Sequence, residues 1–173
     1  KDIIGAIELL PDSVKQRLRI DLIGNYGDRY GHDVRKAIEA MPTRSRGRLR
    51  IFSTTQDVAR HYQAADIFVC SSRVESYPRV ILEAMAYGLP IATTPVFGIS
   101  EQLSDGKTAL FYAPGDTEML AQHIRRFATE ETFRTQFGSR ANSSLNRLIS
   151  FPEMVQRYAD IFRNVCVGDT IQS

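Results

Sequence analysis

Between Asp66 and Thr94 the chain passes from a fully apolar strand-like run, DIFVC, through a polar loop and an apolar helix into a second apolar run, IATT. A short strand with no polar alternation is of the type buried on both faces, as in a parallel sheet covered by helices. The intervening helix is well bounded. Pro78 at its first helical position lacks only an N–H that would be unsatisfied there, and Gly88 with Pro90 ends it.

The same alternation extends in both directions. Ile3, Ile4, Ile7 and Leu10 have helical spacing, ended by Pro11 and Asp12. A strand over 19–24, a helix over 33–41, a strand over 48–53 and a helix over 57–65 follow. Beyond the central unit come a short helix to Leu103, a strand over 109–112, and an amphipathic helix over 117–128. That helix has Met119, Leu120, Ile124 and Phe127 on one face and Asp116 or Thr117 as N-cap. Two further helices, 131–148 and 152–165, close the chain, with Tyr158 and Phe162 read as core contacts. The expected fold is α/β, a Rossmann-like, mostly parallel sheet with helices on both faces, forming one domain over 1–173.

Composition bounds the function. A net charge of +2 on 173 residues gives no argument for nucleic acid, and no apolar stretch is long enough to span a bilayer. Cys70 and Cys166 lie far apart, which fits a reduced, cytoplasmic compartment. His32, His61 and His123 have no metal-ligand spacing, so no metal is expected. Arg44, Arg46, Arg48 and Arg50 form a basic cluster that would suit anionic lipid, though a solvated loop is the preferred reading. The chain opens at Lys1 without Met, and is read as a fragment.

In an open α/β sheet, ligands sit outside the carboxyl ends of the strands. Asn25, Ser53, Ser71, Ser72, Thr94 and the loop carrying Glu75 fall at such ends. The amides of Arg79, Val80 and Ile81, at the start of the central helix, would form an anion site suited to phosphate. From Val80 to Ala86 every residue but Glu83 is apolar, so the helix is expected to be buried, with Glu83 an inward carboxylate needing donors. About a turn and a half, roughly 7 to 8 Å, separates Pro78 from Glu83, so a phosphate at the helix end would have a neighbouring sugar near that carboxylate. Spacing alone leaves open whether Glu83 serves a ligand or pairs with an arginine.

The stretch SSRVESYPRVILEAMAYGLPIATTPVFGISEQLSDGKTALFYAPGD, 71–116, resembles the C-terminal donor-binding domain of the family-4, or group 1, retaining glycosyltransferases of the GT-B fold. The shared pattern is two glutamates separated by seven residues, here Glu75 and Glu83, then Gly88-x-Pro90, Gly98 to Glu101, Gly106, and Pro114 to Asp116. The likeness continues more weakly through DLIGNYG, FSTTQDVARHYQAADIFVCSS and RYADIF. It implies metal-independent transfer of a glycosyl group from a UDP-, GDP- or ADP-sugar, without a further cofactor, to an acceptor sugar, lipid or other glycan. An N-terminal acceptor domain of the same polypeptide is implied as partner, and peripheral membrane contact is a feature of many members.

Residue by residue, the resemblance implies that Glu83 accepts from the ribose hydroxyls and that Glu75 faces the transferred sugar as the catalytic carboxylate. Ser76, Tyr77, Pro78, Arg79, Val80 and Ile81 would serve sugar and diphosphate. Ser53 and Thr54 would border the nucleobase, and Asn25 the phosphates. Lys1 is a weak match to the phosphate-binding lysine of the family. The family usually carries Gly where this chain has Phe97 and Ala109, which points to an altered donor-pocket wall or loop. Two alternatives share the fold: a non-catalytic nucleotide-sugar binding module, and another GT-B enzyme such as a sugar-nucleotide epimerase or a phosphorylase.

Overall fold

The helical spacing at the start of the chain folds as α1, Asp2–Leu9, which buries Ile4, Ala6 and Ile7. The computed structural model describes residues 1–24, 27, 29–53, 55, 57–148 and 150–168. After α1 come α2 (Asp12–Lys15), β1 (Ile20–Ile23), α3 (Arg29–Glu39), α4 (Thr43–Arg46), β2 (Leu49–Phe52), α5 (Ala59–Ala64) and β3 (Phe68–Cys70). The second half runs α6 (Arg79–Ala86), β4 (Ile91–Thr93), α7 (Ile99–Gln102), β5 (Leu110–Phe111), α8 (Thr117–Thr129), α9 (Glu131–Ser144) and α10 (Phe151–Gly168). Helix α8 has the expected cap, the Asp116 carboxylate accepting from the Met119 amide at 2.9 Å.

Every strand pairing among the described residues is parallel, β1 with β2, β3 with β4 and β4 with β5. They form two ladders, β1-β2 and β3-β4-β5, with no pairing between them among the described residues. Such short strands make few ladder bonds, so side chains hold the layers together. The alternation along each strand shows how. Val69, Ala92 and Leu110 pack with Leu120, Ile124 and Phe127 of α8 and Ala6 of α1. Their neighbours Phe68, Cys70, Ile91 and Phe111 pack instead with Ile81, Ala84 and Met85 of α6 and Ile99 of α7. Helices therefore cover both faces of the β3-β4-β5 ladder.

Helix α6 is clamped at both ends. At its C-terminus Gly88 takes φ of +67°, and Asn142 of α9 donates to the Met85 and Ala86 carbonyls at 3.0 and 3.1 Å. The Ala86 carbonyl is one that a helix end otherwise leaves without a partner, and the Met85 carbonyl also accepts from the Gly88 amide at 3.0 Å. Gly138 lets α9 approach, since a Cβ there would stand 2.0 Å from the Gly88 carbonyl oxygen.

Four expectations are corrected. Pro78 is the N-cap of α6 in extended conformation (ψ 125°), one residue before the helix proper. Helix α6 is not buried all round: Ile81, Ala84 and Met85 face the core, while Val80, Glu83 and Tyr87, spaced by three and four, share an outward face. On α8, Met119 is exposed and Ala121 takes its place in the buried stripe. Tyr158 and Phe162 are 57% and 65% exposed. With Phe151, Val155 and Val165 they form an apolar stripe at alternating four- and three-residue spacing along α10 that no other described element covers.

Candidate functional site

Because β3 and β4 are adjacent and parallel, the loops leaving their carboxyl ends emerge side by side. The loop after β3 carries Ser71 to Pro78, and the loop after β4 carries Thr94 to Gly98. Thr94, fully buried, donates from Oγ1 to the Ser72 carbonyl at 2.5 Å. Ser72 in turn donates from Oγ to Oε1 of Glu75 at 2.8 Å. A chain of hydrogen bonds thus runs from the end of β4 to the Glu75 carboxylate, whose second oxygen carries no hydrogen bond among the described residues.

The start of α6 is held from the other side. Gly98 packs on the backbone of Ser76 and Tyr77, and the buried Gln102 donates to the Pro78 carbonyl at 3.1 Å. The Ile81 amide is already used, donating to the Pro78 carbonyl at 3.2 Å, whereas those of Arg79 and Val80 find no acceptor among the described residues. The anion site expected at this helix end would therefore have two open amides rather than three. Ser76, Tyr77, Arg79 and Val80 are exposed around it, and Pro78 and Ile81 are buried beneath it.

Glu83 lies one turn further along, on the outward face. It is partly accessible, so it is not the desolvated carboxylate expected, because its face of α6 is turned away from the core. Oε2 accepts from the Tyr62 hydroxyl at 3.0 Å, and Oε1 lies 3.6 Å from the Arg79 guanidinium. Of the two alternatives left open by spacing, the arginine partner is present, and Glu83 is also reachable from solvent. Burial, followed by the hydrogen bond to Glu83, pushes the ionisation of Tyr62 well above the usual tyrosine range.

The remaining candidates are less closely gathered. Ser53 is exposed at the carboxyl end of β2. Asn25 and Thr54 lie outside the described residues. Next to β2, Asp21 accepts from Nε and Nη2 of Arg50 at 2.8 and 2.9 Å and lies 3.0 Å from Nδ1 of His61, which ties β1, β2 and α5 together. Lys1 pairs with Asp33 at 3.1 Å. Arg44 pairs with Asp12, and Arg46 donates to the Glu39 carbonyl at 3.3 Å. With Arg50, most of the basic cluster is thus engaged by the protein itself. His123 shares a hydrogen bond of 2.9 Å with the Phe111 carbonyl.

The two departures from the family pattern separate. Ala109 is fully buried in the core with Ile99 and Leu103. Phe97 is 70% exposed and takes φ of +45°, a left-handed conformation in which bulky residues are rare. Tyr62 is the contributor that the sequence does not mark, whereas Ser72 and Thr94 fall among the strand-end residues without a sign of what they bond. Tyr62 reads as one more apolar position of α5, and nothing local links it to a glutamate 21 residues away.

Residues 1–144 match the family model described as glycosyl transferases group 1. The chain is 32% identical over 120 residues to the N-acetyl-alpha-D-glucosaminyl L-malate synthase of Bacillus anthracis, covering 69% of this chain and 32% of that protein. It is 30% identical over 146 residues to the sulfoquinovosyl transferase SQD2 of Arabidopsis thaliana, covering 82% and 28%. The crystal structure of Anabaena Alr3699/HepE in complex with UDP-glucose superposes with a TM-score of 0.81 at 20% identity, over 94% of this chain and 44% of that one. The chain spans about a third of the length of these curated relatives. No helix among the described residues is long and apolar enough to cross a membrane.

Proposed function

Because the chain belongs to the group 1 glycosyl transferases, we propose that it is the C-terminal, donor-binding domain of a retaining glycosyltransferase that uses a nucleoside-diphosphate sugar without a metal ion or further cofactor. The observation that carries this reading is the placement of two carboxylates around one helix end. Glu75 stands before the N-terminus of α6, Glu83 a turn beyond it, and the open amides of Arg79 and Val80 lie between.

In this reading the amides bind the diphosphate, Glu83 accepts from the ribose hydroxyls, and Glu75 holds the hydroxyls of the transferred sugar. The bond from the anomeric carbon to the diphosphate oxygen breaks, an acceptor oxygen bonds to the same carbon, and the acceptor proton passes to the departing diphosphate. Positive charge grows at the anomeric carbon as the old bond lengthens. A carboxylate already oriented by Ser72 stabilises it without reorganising. The helix end stabilises the leaving group in the same way, its partial positive charge facing the negative charge that develops there. Arg79, exposed at the rim, would add a guanidinium to the diphosphate, and Ser76 and Tyr77 would line the sugar. Ser53 with Thr54 would border the base, and Asn25 the phosphates.

The acceptor, a sugar, lipid or other glycan, would enter from an N-terminal domain of the same polypeptide. The small share of its relatives that the chain spans supports such a partner, as does the uncovered apolar stripe on α10. The reading places the enzyme in the cytoplasm, with peripheral contact at the inner face of the membrane. The isolated chain would then bind donor without transferring sugar.

Thermal shift of the full-length polypeptide with UDP-, GDP- and ADP-glucose tests the donor class. One of them at about a hundredfold over its Kd would stabilise the protein by about 2.7 kcal/mol. Glu83→Ala would remove about half of that shift or more. If none of the three shifts the protein, the donor reading falls. If Glu83→Ala binds like wild type, the ribose assignment falls.

A further inference from the structure

Tyr62 is remote in sequence from α6, yet its hydroxyl donates to Oε2 of Glu83 at 3.0 Å and stands 3.5 Å from the Val80 carbonyl, one turn earlier on the same helix face. Its residue exposure is only 6%. Tyr87 stacks on its ring at 5.4 Å with an interplanar angle of 11°, and Phe68 packs against it at 5.8 Å. A ring so enclosed has little freedom to turn, so the hydroxyl is placed by packing and not by the hydrogen bond it makes.

Glu83 is the opposite case. It is a long, partly accessible side chain with several rotamers open to it, and its other contact is a 3.6 Å pair with an arginine whose side chain is 89% exposed. Surface pairs of this kind hold a geometry weakly. The rigid member of the trio is Tyr62.

We propose that Tyr62 is a positioning residue for the sugar-nucleotide donor, holding Glu83 in the rotamer that presents its remaining lone pairs to the ribose hydroxyls. The inference rests on the reading of Glu83 as the ribose-binding group. A carboxylate offers about four lone-pair sites, so one hydroxyl on Oε2 steers it and still leaves room for two ribose donors. Burial and the neighbouring carboxylate both favour the protonated phenol, so Tyr62 remains a donor throughout the neutral range. The role needs both the hydroxyl and the enclosed ring, which separates it from a simple core contact.

The test uses the full-length polypeptide as wild type, Tyr62→Phe, Glu83→Ala and the double variant. Each is titrated calorimetrically with UDP, GDP and ADP, and with the 2′,3′-dideoxy counterpart of whichever binds. Tyr62→Phe keeps the ring and its stacking, and the carboxylate it releases is solvent-accessible, so the fold is retained. The expected result is a preference for the ribose nucleotide that falls about five- to tenfold in Tyr62→Phe, while dideoxy binding changes by less than about twofold. In the Glu83→Ala background the second change should have no further effect. Equal weakening of both nucleotides by Tyr62→Phe would show a structural role and overturn the proposal, as would an unchanged preference. A wild type without ribose preference overturns the Glu83 assignment itself, and one that binds none of the diphosphates overturns the donor reading. Both are distinct from a preference that survives Tyr62→Phe.

Discussion

Gly98 lies against Ser76 so closely that a Cβ added to it would stand 1.6 Å from the Ser76 carbonyl oxygen and 2.7 Å from its carbonyl carbon. Both atoms belong to backbone, so neither side can yield by a rotamer change. The contact sets how the loop after β4 seats the start of α6. Gly98→Ala should therefore destabilise the protein by about 2–4 kcal/mol, measured by urea unfolding, and weaken nucleotide binding as well. A neutral variant would mean that the two loops separate freely.

Phe97 gives the opposite sign. At φ of +45° and 70% exposed, it bears backbone strain with little burial to offset it. A left-handed conformation costs a residue with a side chain about 1–2 kcal/mol. Phe97→Gly removes that strain but loosens the unfolded chain, so a net gain of up to about 1 kcal/mol is expected. A fall in melting temperature would show that the ring makes a contact worth more than its strain.

The two glutamates should separate in kinetics. Glu75→Gln would leave nucleotide affinity within about threefold but lower kcat by about a hundredfold or more, as for removal of a preorganised electrostatic group. Glu83→Ala would act mainly on donor affinity, by about ten- to a hundredfold. Ser72→Ala, which frees Oε1 of Glu75, should fall between wild type and Glu75→Gln in kcat. Identical profiles for Glu75→Gln and Glu83→Ala would remove the division of labour.

Tyr62 also predicts a pH effect. Its ionisation is raised in the fold, first by burial and then by the Glu83 carboxylate. The contribution is therefore complete at neutral pH and declines once the unfolded chain's tyrosine begins to ionise, near pH 10. Above that pH the unfolded state gives up a proton that the folded state keeps, so stability falls as pH rises. In Tyr62→Phe the decline between about pH 9 and 11 should be shallower than in wild type, read from urea midpoints. Parallel curves would mean that Tyr62 titrates normally.

The order of elements was legible because it rests on local signals. Apolar runs, Gly88 after a helix and the Asp116 cap each act over a few positions and appear in the fold where the spacing puts them, while Pro78 stands one residue before its helix instead of inside it. The spacing of Glu75 and Glu83 about a helix start was likewise readable. What the sequence could not supply was the direction a helix face looks. Val80 to Ala86 is so uniformly apolar that periodicity gives no orientation, and Glu83 reads as inward. Only the packing of Ile81, Ala84 and Met85 against β3 and β4 turns it outward. In the same way Tyr158 and Phe162 have core-like spacing on a helix that the rest of the chain leaves uncovered.

The α/β layering, the family pattern and the charged residues at the strand ends can all be read from amino-acid order, since they follow from nearest neighbours along the chain. What orients those charges depends on how the elements pack. Thr94 and Ser72 reach Glu75 because parallel pairing puts the ends of β3 and β4 side by side. Tyr62 reaches Glu83 because α5 and α6 pack near one another, with Phe68 of β3 against the Tyr62 ring. Such contacts depend on long-range packing, for which a short stretch of residues holds no signal.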